Sequence, residues 1–402
     1  SLATSYTDVA GNSGPAETTS NYAVETLAPT VSSVAITSAS GIQNNFLNAG
    51  DNVSVTVTYS ETVIVDTTSG SPTLTIVVDS TNRTAIYTSG SSSNQLVFQY
   101  TIQDGENDSD GISIGANALA LNSSTIKDVA GNDATITHNA VSDNSNYKVD
   151  TLAPTVSSTG ITSATGIQNN FLNATDVVSV TATFSESVLV PSGTPTLTLA
   201  VGSDNRTASY ASGSGTAPLV FQYTIQAGDN DTNGISIGAN AIAFNGGSIT
   251  DFAGNIASDL THSAVSDNSS YKVDTTAPTV STFTMSDTAL KVGDNATVGL
   301  VFSETVCTVS ASCGGVLFSN ADITVPNGSL STLTSGDNIT WAGTYTPTDD
   351  VEDDTNVLSL GTGYTDLAGN TGPARTTANF EVDTREPTIS TVAITSAAGI
   401  QN

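Results

Sequence analysis

Side-chain oxygens are the groups in this sequence with the clearest potential for chemistry. The chain has 38 Asp and Glu residues but only 8 Lys and Arg, which gives a formal net charge of −30. Carboxylate and amide oxygens are hard ligands that suit Ca²⁺, whereas the 2 His and 2 Cys cannot build several sites for softer metals. Calcium is therefore the first ligand to consider.

The same acid excess argues against two classes of partner. Nucleic acids and anionic membranes bind basic patches, and so acidic a chain repels both. No run of the sequence approaches 18 apolar residues. We therefore expect no nucleic-acid partner and no direct membrane insertion by this segment.

The residues that could support catalysis recur at a fixed spacing. His138 and His262 are 124 residues apart, which is one repeat length, and the candidate carboxylate pairs recur in the same way. A hydrolytic site needs one set of nucleophile, base and orienting group brought together in one place. The recurrence predicts structural histidines and a chain that is not an enzyme.

Internal repeats organise the whole chain. A Tyr/Phe-x-Val-Asp/Glu-Thr-x-x-Pro-Thr marker occurs four times, and its aromatic residues are Tyr22, Tyr147, Tyr271 and Phe380, which are 125, 124 and 109 residues apart. Two longer units, here called type A, therefore precede a shorter unit, type B. The predicted domains are 26–150 and 151–274 (type A) and 275–383 (type B).

The two ends of the chain match parts of further units. Residues 6–15 parallel residues 364–373, so residues 1–25 are expected to be the end of a type B domain. Residues 384–402 are expected to begin another type A domain. The resulting order is B-A-A-B-A, and Tyr6 and Tyr364 are 358 residues apart. Because both ends fall inside domains, we expect a much longer parent chain.

Alternation of apolar and polar residues predicts strands with one buried face. Val53, Val55, Val57 and Tyr59 alternate with polar residues, and similar runs are separated by loops rich in Gly, Ser, Asn and Asp. About seven strands per unit fit an immunoglobulin-like sandwich. The Pro residues between units favour short, stiff linkers. The predicted fold is all-β, with tandem immunoglobulin-like β-sandwich domains in an elongated array.

Three groups of motifs carry a family resemblance. These are the Ser-Glu segments around Glu61, Glu186 and Glu304, the Asp-x-Ala-Gly-Asn segments that begin at Asp128, Asp251 and Asp366, and the Val-Asp-Thr-x-Ala-Pro linkers. Together they resemble the bacterial immunoglobulin-like extender repeats of giant calcium-dependent surface adhesins. The resemblance implies a secreted or cell-surface protein whose repeats project a distal binding domain, often with Ca²⁺ stiffening the array.

The expected calcium sites lie at the domain junctions. In a seven-strand sandwich the chain enters at one pole and leaves at the other, so the Ser-Glu turn and the Asp-x-Ala-Gly-Asn loop should share the incoming pole. The acidic loops 106–111 and 229–234 should lie at the outgoing pole, beside the next linker. The predicted ligands are Glu61, Asp128, Asn132, Glu106, Asp108, Asp110, Asp150, Glu186, Asp251, Asn255, Asp229, Asp231, Asp274, Glu304, Asp366, Asn370 and Asp383.

Simpler explanations exist for both kinds of loop. Asp-x-Ala-Gly-Asn can be a tight turn in which Asp and Asn bond the local backbone and Gly supplies a positive φ, and this turn could also bind an ion. The acidic loops can be solvated turns. The EF-hand alternative lacks its twelfth-position Glu, since Asn117 and Asn240 stand there.

Two features are confined to the type B unit. Cys307 and Cys313 could close a small disulfide loop in an oxidising compartment, with free thiols as the alternative. Trp341 lies in an alternating run, which favours a core position over an exposed sugar platform.

The predicted function is a structural spacer in a very long extracellular adhesin, stiffened by calcium at the domain junctions. The alternative is a segment of an extracellular filament or surface layer, in which the domains also contact neighbouring chains laterally. In both cases the expected partners are Ca²⁺ and further copies of the repeat. The sequence leaves open the host, the distal ligand and the number of repeats.

Overall fold

The computed structural model describes residues 1–308 and 318–394. By its internal contacts the chain divides into two compact units, Ser1–Ala153 with Thr250–Ile256 and Pro154–Ile249 with Ala257–Asn402. The described residues are built of strands and one short 3₁₀ helix. None of the described helical structure is long and apolar enough to cross a membrane.

The first unit contains one complete sandwich. Its strands are β1 (Val31–Ser40), β2 (Phe46–Leu47), β3 (Asn52–Asp66), β4 (Thr73–Val78), β5 (Thr81–Ser89), β6 (Ser93–Thr101), β7 (Asn107–Asp108), β8 (Leu119–Ala120), β9 (Thr125–Lys127) and β10 (Lys148–Asp150). A main sheet has the order β1-β3-β6-β5-β4-β8, and a small sheet has the order β2-β10-β7. The β2–β10 pair is parallel, whereas β7 joins β10 antiparallel.

The core of this sandwich follows the alternation in the sequence. On β3, Val53, Val55 and Val57 are fully buried and Tyr59 is 1% exposed. Side chains of a strand alternate between faces, so this run covers one face of the main sheet with apolar groups. Val149 of the small sheet belongs to the same hydrophobic cluster, so the two sheets enclose one core.

One local expectation from the sequence was wrong. Glu61 does not lie in a turn, because β3 continues through it to Asp66. The pairing of β3 with β6 changes register between Thr58 and Val63, so the predicted turn is a bulge inside one long strand. The apolar stretch 112–121 forms isolated bridges and the short strand β8, because its Gly and Asn residues interrupt the pairing.

The second unit begins with a sandwich of the same order. Its strands are β11 (Val156–Thr165), β12 (Phe171–Leu172), β13 (Val177–Ser192), β14 (Thr196–Val201), β15 (Asp204–Ser212), β16 (Thr216–Thr224), β17 (Asn230–Asp231), β18 (Ile242–Ala243), β19 (Ser248–Thr250) and β20 (Lys272–Asp274). The main sheet runs β11-β13-β16-β15-β14-β18 and the small sheet β12-β20-β17.

A shorter sandwich follows in the second unit. It contains β21 (Val280–Met285), β22 (Ala289–Leu290), β23 (Ala296–Phe302), β24 (Val306–Thr308), a 3₁₀ helix (Asn320–Asp322), β25 (Ile323–Thr324), β26 (Gly328–Leu330), β27 (Thr334–Ser335), β28 (Thr340–Pro347), β29 (Glu352–Asn356), β30 (Ser359–Leu360), β31 (Tyr364–Asp366), β32 (Arg375–Thr376) and β33 (Phe380–Asp383). Its main sheet contains β21-β23-β28-β26, and its small sheet is β22-β33-β29.

The core of this third sandwich is aromatic. Trp341 is 5% exposed, and its ring packs edge-on against Phe318 with 5.5 Å between centroids. Trp341 is therefore a core residue, as the alternating run predicted. Cys307 is buried on β24, whereas Cys313 lies outside the described residues, so the disulfide remains a prediction.

Candidate metal centre

The Asp-x-Ala-Gly-Asn loop is a tight turn organised by its own Asp. In the third sandwich, Asp366 Oδ1 accepts the backbone N–H of Ala368 at 2.8 Å and that of Asn370 at 2.9 Å, while Oδ2 accepts the Asn370 side-chain amide at 2.8 Å. Gly369 has a φ of +93°, which an L side chain rarely adopts. The turn explanation is therefore confirmed, and it fixes the Asp carboxylate in place.

The Asn of this loop also binds the linker that enters its domain. Asn370 Nδ2 donates to the backbone carbonyl of Asp274 at 2.9 Å. In the first unit, Asn255 donates to the carbonyl of Asp150 at 2.9 Å, and Asn132 donates to the Glu25 carboxylate at 2.9 Å. Each loop thus bonds its own Asp on one side and the linker on the other.

The Glu of each Ser-Glu segment reaches the same pole by a local irregularity. Glu61 lies on the bulge of β3. Glu304 lies in the bend between β23 and β24, where the corresponding strand is interrupted. Extra residues at these points break the strict alternation of the strand, which lets a carboxylate turn toward the loop at the end of the sandwich.

Three carboxylates converge at this pole. In the first unit, carboxylate oxygens of Glu25, Glu61 and Asp128 lie within 4.8 Å of one another. In the second unit the same is true of Asp274, Glu304 and Asp366. The sequence therefore correctly placed the Ser-Glu segment and the Asp-x-Ala-Gly-Asn loop at one pole, beside the linker.

Burial and mutual repulsion disfavour the charged forms of the second set. Burial, followed by the charges of Asp366 and Asp274, raises the pKa of Glu304 to about 7. Burial also raises the pKa of Asp366, and Asp274 adds to that increase, although hydrogen bonds from Asn370 oppose it. Ionisation of a carboxyl group whose pKa lies near neutrality is unfavourable unless a positive charge is nearby.

In the first set, hydrogen bonds affect the pKa of the loop Asp more strongly than burial does. Burial raises the pKa of Asp128, but hydrogen bonds from the side chain and backbone of Asn132 outweigh it and bring the pKa to about 2. Glu25 is exposed, whereas its counterpart Asp274 is half-buried. Water therefore screens the charges of the first set better than those of the second. A bound cation would stabilise the second set more than the first.

The composition of both sets fits calcium. Three carboxylates supply three to six oxygens in one- or two-oxygen binding, and Ca²⁺ takes six to eight oxygens with flexible geometry. Zinc and copper prefer nitrogen and sulfur ligands, which neither set contains. The residues that would hold the ion are Glu25, Glu61 and Asp128 in one set and Asp274, Glu304 and Asp366 in the other.

The remaining predicted residues of this type lie at equivalent places in the repeat. Asp150, Asp251 and Asn255 belong to the first unit, and Glu186 lies on β13 in the second. Burial raises the pKa of Asp150, and the charge of Asp251 adds to the increase. Asp383 ends β33 and is exposed.

The acidic loops at the other pole form ion pairs with arginine. Asp229 is buried, and its Oδ1 accepts Arg206 Nε at 2.7 Å while its Oδ2 accepts the Tyr223 hydroxyl at 2.6 Å. Burial raises the pKa of Asp229, but the bonds from Tyr223, Gln226 and Arg206 outweigh it and lower the pKa. In the first unit Glu106 is likewise paired with Arg83 and bonded by Tyr100.

The next acidic residues in these loops shape the backbone. Asp231 accepts the backbone N–H groups of Gly202 at 2.8 Å and Gly234 at 2.7 Å. Asp108 does the same for Asp79 and Gly111, both at 2.7 Å. Asp110 is exposed nearby. The structure does not place Asp229 or Asp231 in the set of Asp274, Glu304 and Asp366, and their assignment as calcium ligands stays a prediction.

The two histidines have one shared structural role. His138 Nε2 accepts the backbone N–H of Ala118 at 2.8 Å, and Nδ1 bonds the carbonyl of Asn139 at 2.8 Å. His262 makes the equivalent bonds to Ala241 at 2.8 Å and to Ser263 at 2.9 Å. Both ring nitrogens are thus engaged with backbone, as their recurrence suggested.

Glu25 is the site residue that sequence reasoning missed. It occupies the linker position held by Asp150, Asp274 and Asp383 in the other copies of the marker. Alignment of the four markers on their Pro-Thr ends would have identified it, because Glu and Asp carry the same ligand group.

Comparison with known proteins adds one family match. Residues 274–382 match the family model of a bacterial Ig-like domain, and no curated protein matches the chain. Among solved structures, the Escherichia coli adhesin FdeC is similar over 89% of this chain and 96% of that chain, with 12% identity and a TM-score of 0.33. The ectodomain of mouse nectin-like molecule 4 is similar over 86% of this chain and 99% of that chain, with 9% identity and a TM-score of 0.22.

The family match agrees with the sheets and cores described above. The fold class predicted from the sequence, all-β with tandem immunoglobulin-like sandwiches, is confirmed. At these identities and TM-scores, the two structural likenesses carry no inference about function.

Proposed function

We propose that this chain is a spacer segment of a bacterial cell-surface protein of the adhesin type, and that Ca²⁺ bound at the incoming pole of each domain holds the linker against it. The observation that carries the proposal is the convergence of Asp274, Glu304 and Asp366 within 4.8 Å. One of these carboxylates comes from the linker and two from the domain that follows. An ion bound to all three therefore restrains the linker.

The electrostatics support a cation at this position. The raised pKa of Glu304 has burial as its first cause and the charges of Asp366 and Asp274 as the next. A divalent cation would offset the repulsion among the three groups and so stabilise their ionised forms. When bound, the ion supplies charge neutralisation and cross-linking of the linker to the domain.

The family match and the chemistry of the carboxylate set both support the proposed location at a cell surface. The family match of the third sandwich is to a bacterial domain. Sites built from few protein ligands bind calcium weakly, with a Kd of about 10⁻⁴ to 10⁻³ M in extracellular modules. Such sites fill where calcium is millimolar, which favours an extracellular location. A net charge of −30 also keeps long arrays from associating.

Calcium titration by calorimetry tests the proposal. Glu304→Gln keeps the size of the side chain but removes its charge, and we expect this variant to bind one calcium ion fewer than the native chain. Glu381→Gln, at an exposed residue of β33 in the same domain, is the matched control and should leave binding unchanged. Absence of calcium uptake by the native chain, or equal binding by Glu304→Gln, would overturn the proposal.

A further inference from the structure

A second set of contacts joins consecutive repeats through side-chain amides. The sequence Gly-Ile-Gln-Asn-Asn-Phe-Leu-Asn occurs at residues 41–48 and 166–173, and we call it the clasp loop. In the second unit, Asn169 Nδ2 donates to the carbonyl of Leu367 at 2.9 Å, and Asn173 Nδ2 donates to the carbonyl of Ala368 at 3.0 Å. Both acceptors belong to the Asp-x-Ala-Gly-Asn loop of the following repeat.

The first unit repeats the arrangement. Asn44 Nδ2 donates to the carbonyl of Phe252 at 2.9 Å, and Asn48 Nδ2 donates to that of Ala253 at 3.0 Å. These two residues correspond to Asn169 and Asn173 in the repeated sequence. Equivalent donors and acceptors therefore form the same two hydrogen bonds in both units, with the same lengths. This recurrence indicates a specific interface.

The backbone of the clasp loop holds the donors in place. Gln168 and Phe171 exchange both backbone hydrogen bonds, at 2.8 and 2.7 Å. Asn169 and Asn170 between them have φ values of +50° and +67°. Two successive positive φ values define a tight hairpin turn of the type in which Asn is favoured. The turn therefore already holds Asn169 in the position from which its side-chain amide donates.

The covered loop is packed closely against the clasp. Ala368 and Ala253 are each 1% exposed. A Cβ added at Gly369 would lie 2.5 Å from the Gln168 side chain. Glycine at this position is therefore required by the close approach of Gln168 as well as by its positive φ.

The type B domain has a different loop at the clasp position. Pairing of Leu290 with Val382 on β22 and β33 matches the pairing of Leu47 with Val149 on β2 and β10. This register puts Asp287 at the position of Asn44, and Lys291 at that of Asn48. A carboxylate has no donor for a carbonyl, and the Asp287 side chain already accepts the N–H of Ala289 at 3.0 Å.

We propose that the clasp loop is a docking surface whose partner is the Asp-x-Ala-Gly-Asn loop of the next domain, and that junctions after type A domains are clasped whereas those after type B domains are not. The clasp makes its contacts through uncharged amides and acts without calcium. In a B-A-A superrepeat of 358 residues, one junction in three then lacks the clasp and is the flexible one.

Distance measurements by pulsed electron resonance on the full chain test this proposal. Spin labels are attached through non-natural amino acids at the exposed residues Ser209 and Ser329, so that the cysteines are untouched. The double variant Asn169→Asp, Asn173→Lys gives the type A loop the residues of type B. Asp tolerates a positive φ, so Asn169→Asp keeps the turn but removes the side-chain donor at this position. We expect the distance distribution to be at least twofold broader in the variant.

The matched control is Asn170→Asp, which makes the same change at the adjacent residue of the turn, and it should leave the distribution narrow. All samples are measured with calcium and with chelator. A distribution that is unchanged in the double variant overturns the clasp proposal, whatever the effect of chelator. An effect of the variant with no effect of chelator overturns the calcium proposal and supports the clasp.

Discussion

The side-chain amide of Asn370 donates a 2.9 Å hydrogen bond to the backbone carbonyl of Asp274, and so ties the linker to the loop of the domain that it enters. Asn370→Ala removes this bond and the bond to the Asp366 carboxylate. We expect the free energy of unfolding of this domain to fall by about 1–3 kcal/mol, because two partly buried acceptors lose their donor. Urea denaturation measures the change.

Asn379→Ala is the control for that variant. Asn379 also donates to a backbone carbonyl, that of Asp354 at 2.7 Å, but it is exposed and distant in sequence from the linker that contains Asp274. Hydrogen exchange at residues 272–276 should quicken in Asn370→Ala and stay native in Asn379→Ala. Equal exchange in both variants would show that Asn370 does not restrain the linker.

The raised pKa of Glu304 predicts a pH dependence of the calcium-free protein. Its pKa is about 7 in the folded state and near 4.5 when unfolded, so the folded domain binds more protons between these values. Stability of the third domain should therefore fall as the pH rises from about 4.5 to about 7. Thermal unfolding across this pH range in chelator measures the effect, and Glu304→Gln should flatten it. A free energy of unfolding that rises between about pH 4.5 and about pH 7 would contradict the raised pKa of Glu304.

A buried hydroxyl in the first sandwich predicts a stabilising substitution. Tyr59 is 1% exposed, and its Oη has no hydrogen-bond partner among the residues that the structure describes. The equivalent residues in the other repeats are Phe184 and Phe302. Tyr59→Phe should raise the free energy of unfolding by about 1 kcal/mol, since it removes an unsatisfied polar group. Tyr223→Phe, which loses a 2.6 Å bond to Asp229, should lower it. The opposite order of the two variants would be inconsistent with these contacts.

Substitution of Asp229, which pairs with Arg206, distinguishes a structural role of this carboxylate from a role as a calcium ligand. Asp229→Asn removes the charge that pairs with Arg206, and we expect a loss of about 1–3 kcal/mol in stability, reduced by the partial exposure of Arg206. Calorimetry should give the native calcium stoichiometry. Loss of a calcium ion in this variant would instead support the ligand role predicted from the sequence.

Topology explains which parts of the site could be predicted. Glu304, Asp366 and Asp274 are far apart in sequence, yet a sandwich that the chain enters at one pole requires their segments to meet there. The pairing of Glu106 with Arg83 depends on strand register between β5 and its neighbours, which alternation alone does not specify. The bulge at Glu61 was missed for the same reason, because an inserted residue leaves the apolar pattern on both sides intact.

The clasp loop illustrates a different limit. Its repetition at 41–48 and 166–173 is plain in the sequence, but Asn-rich turns are common and their usual role is local. The contact of Asn169 with the Leu367 carbonyl spans 198 residues. Only the placement of the two domains shows that a side chain in such a turn reaches a neighbour.

Small-angle scattering of the native chain, first with calcium and then with chelator, tests whether Ca²⁺ restrains the linkers. If calcium holds each linker against the domain that follows it, removal of the ion frees the linkers and the mean end-to-end distance falls. We expect a smaller maximum dimension and a broader distance distribution in chelator, both restored by added Ca²⁺. Superimposable profiles with and without calcium would show that calcium does not restrain the linkers.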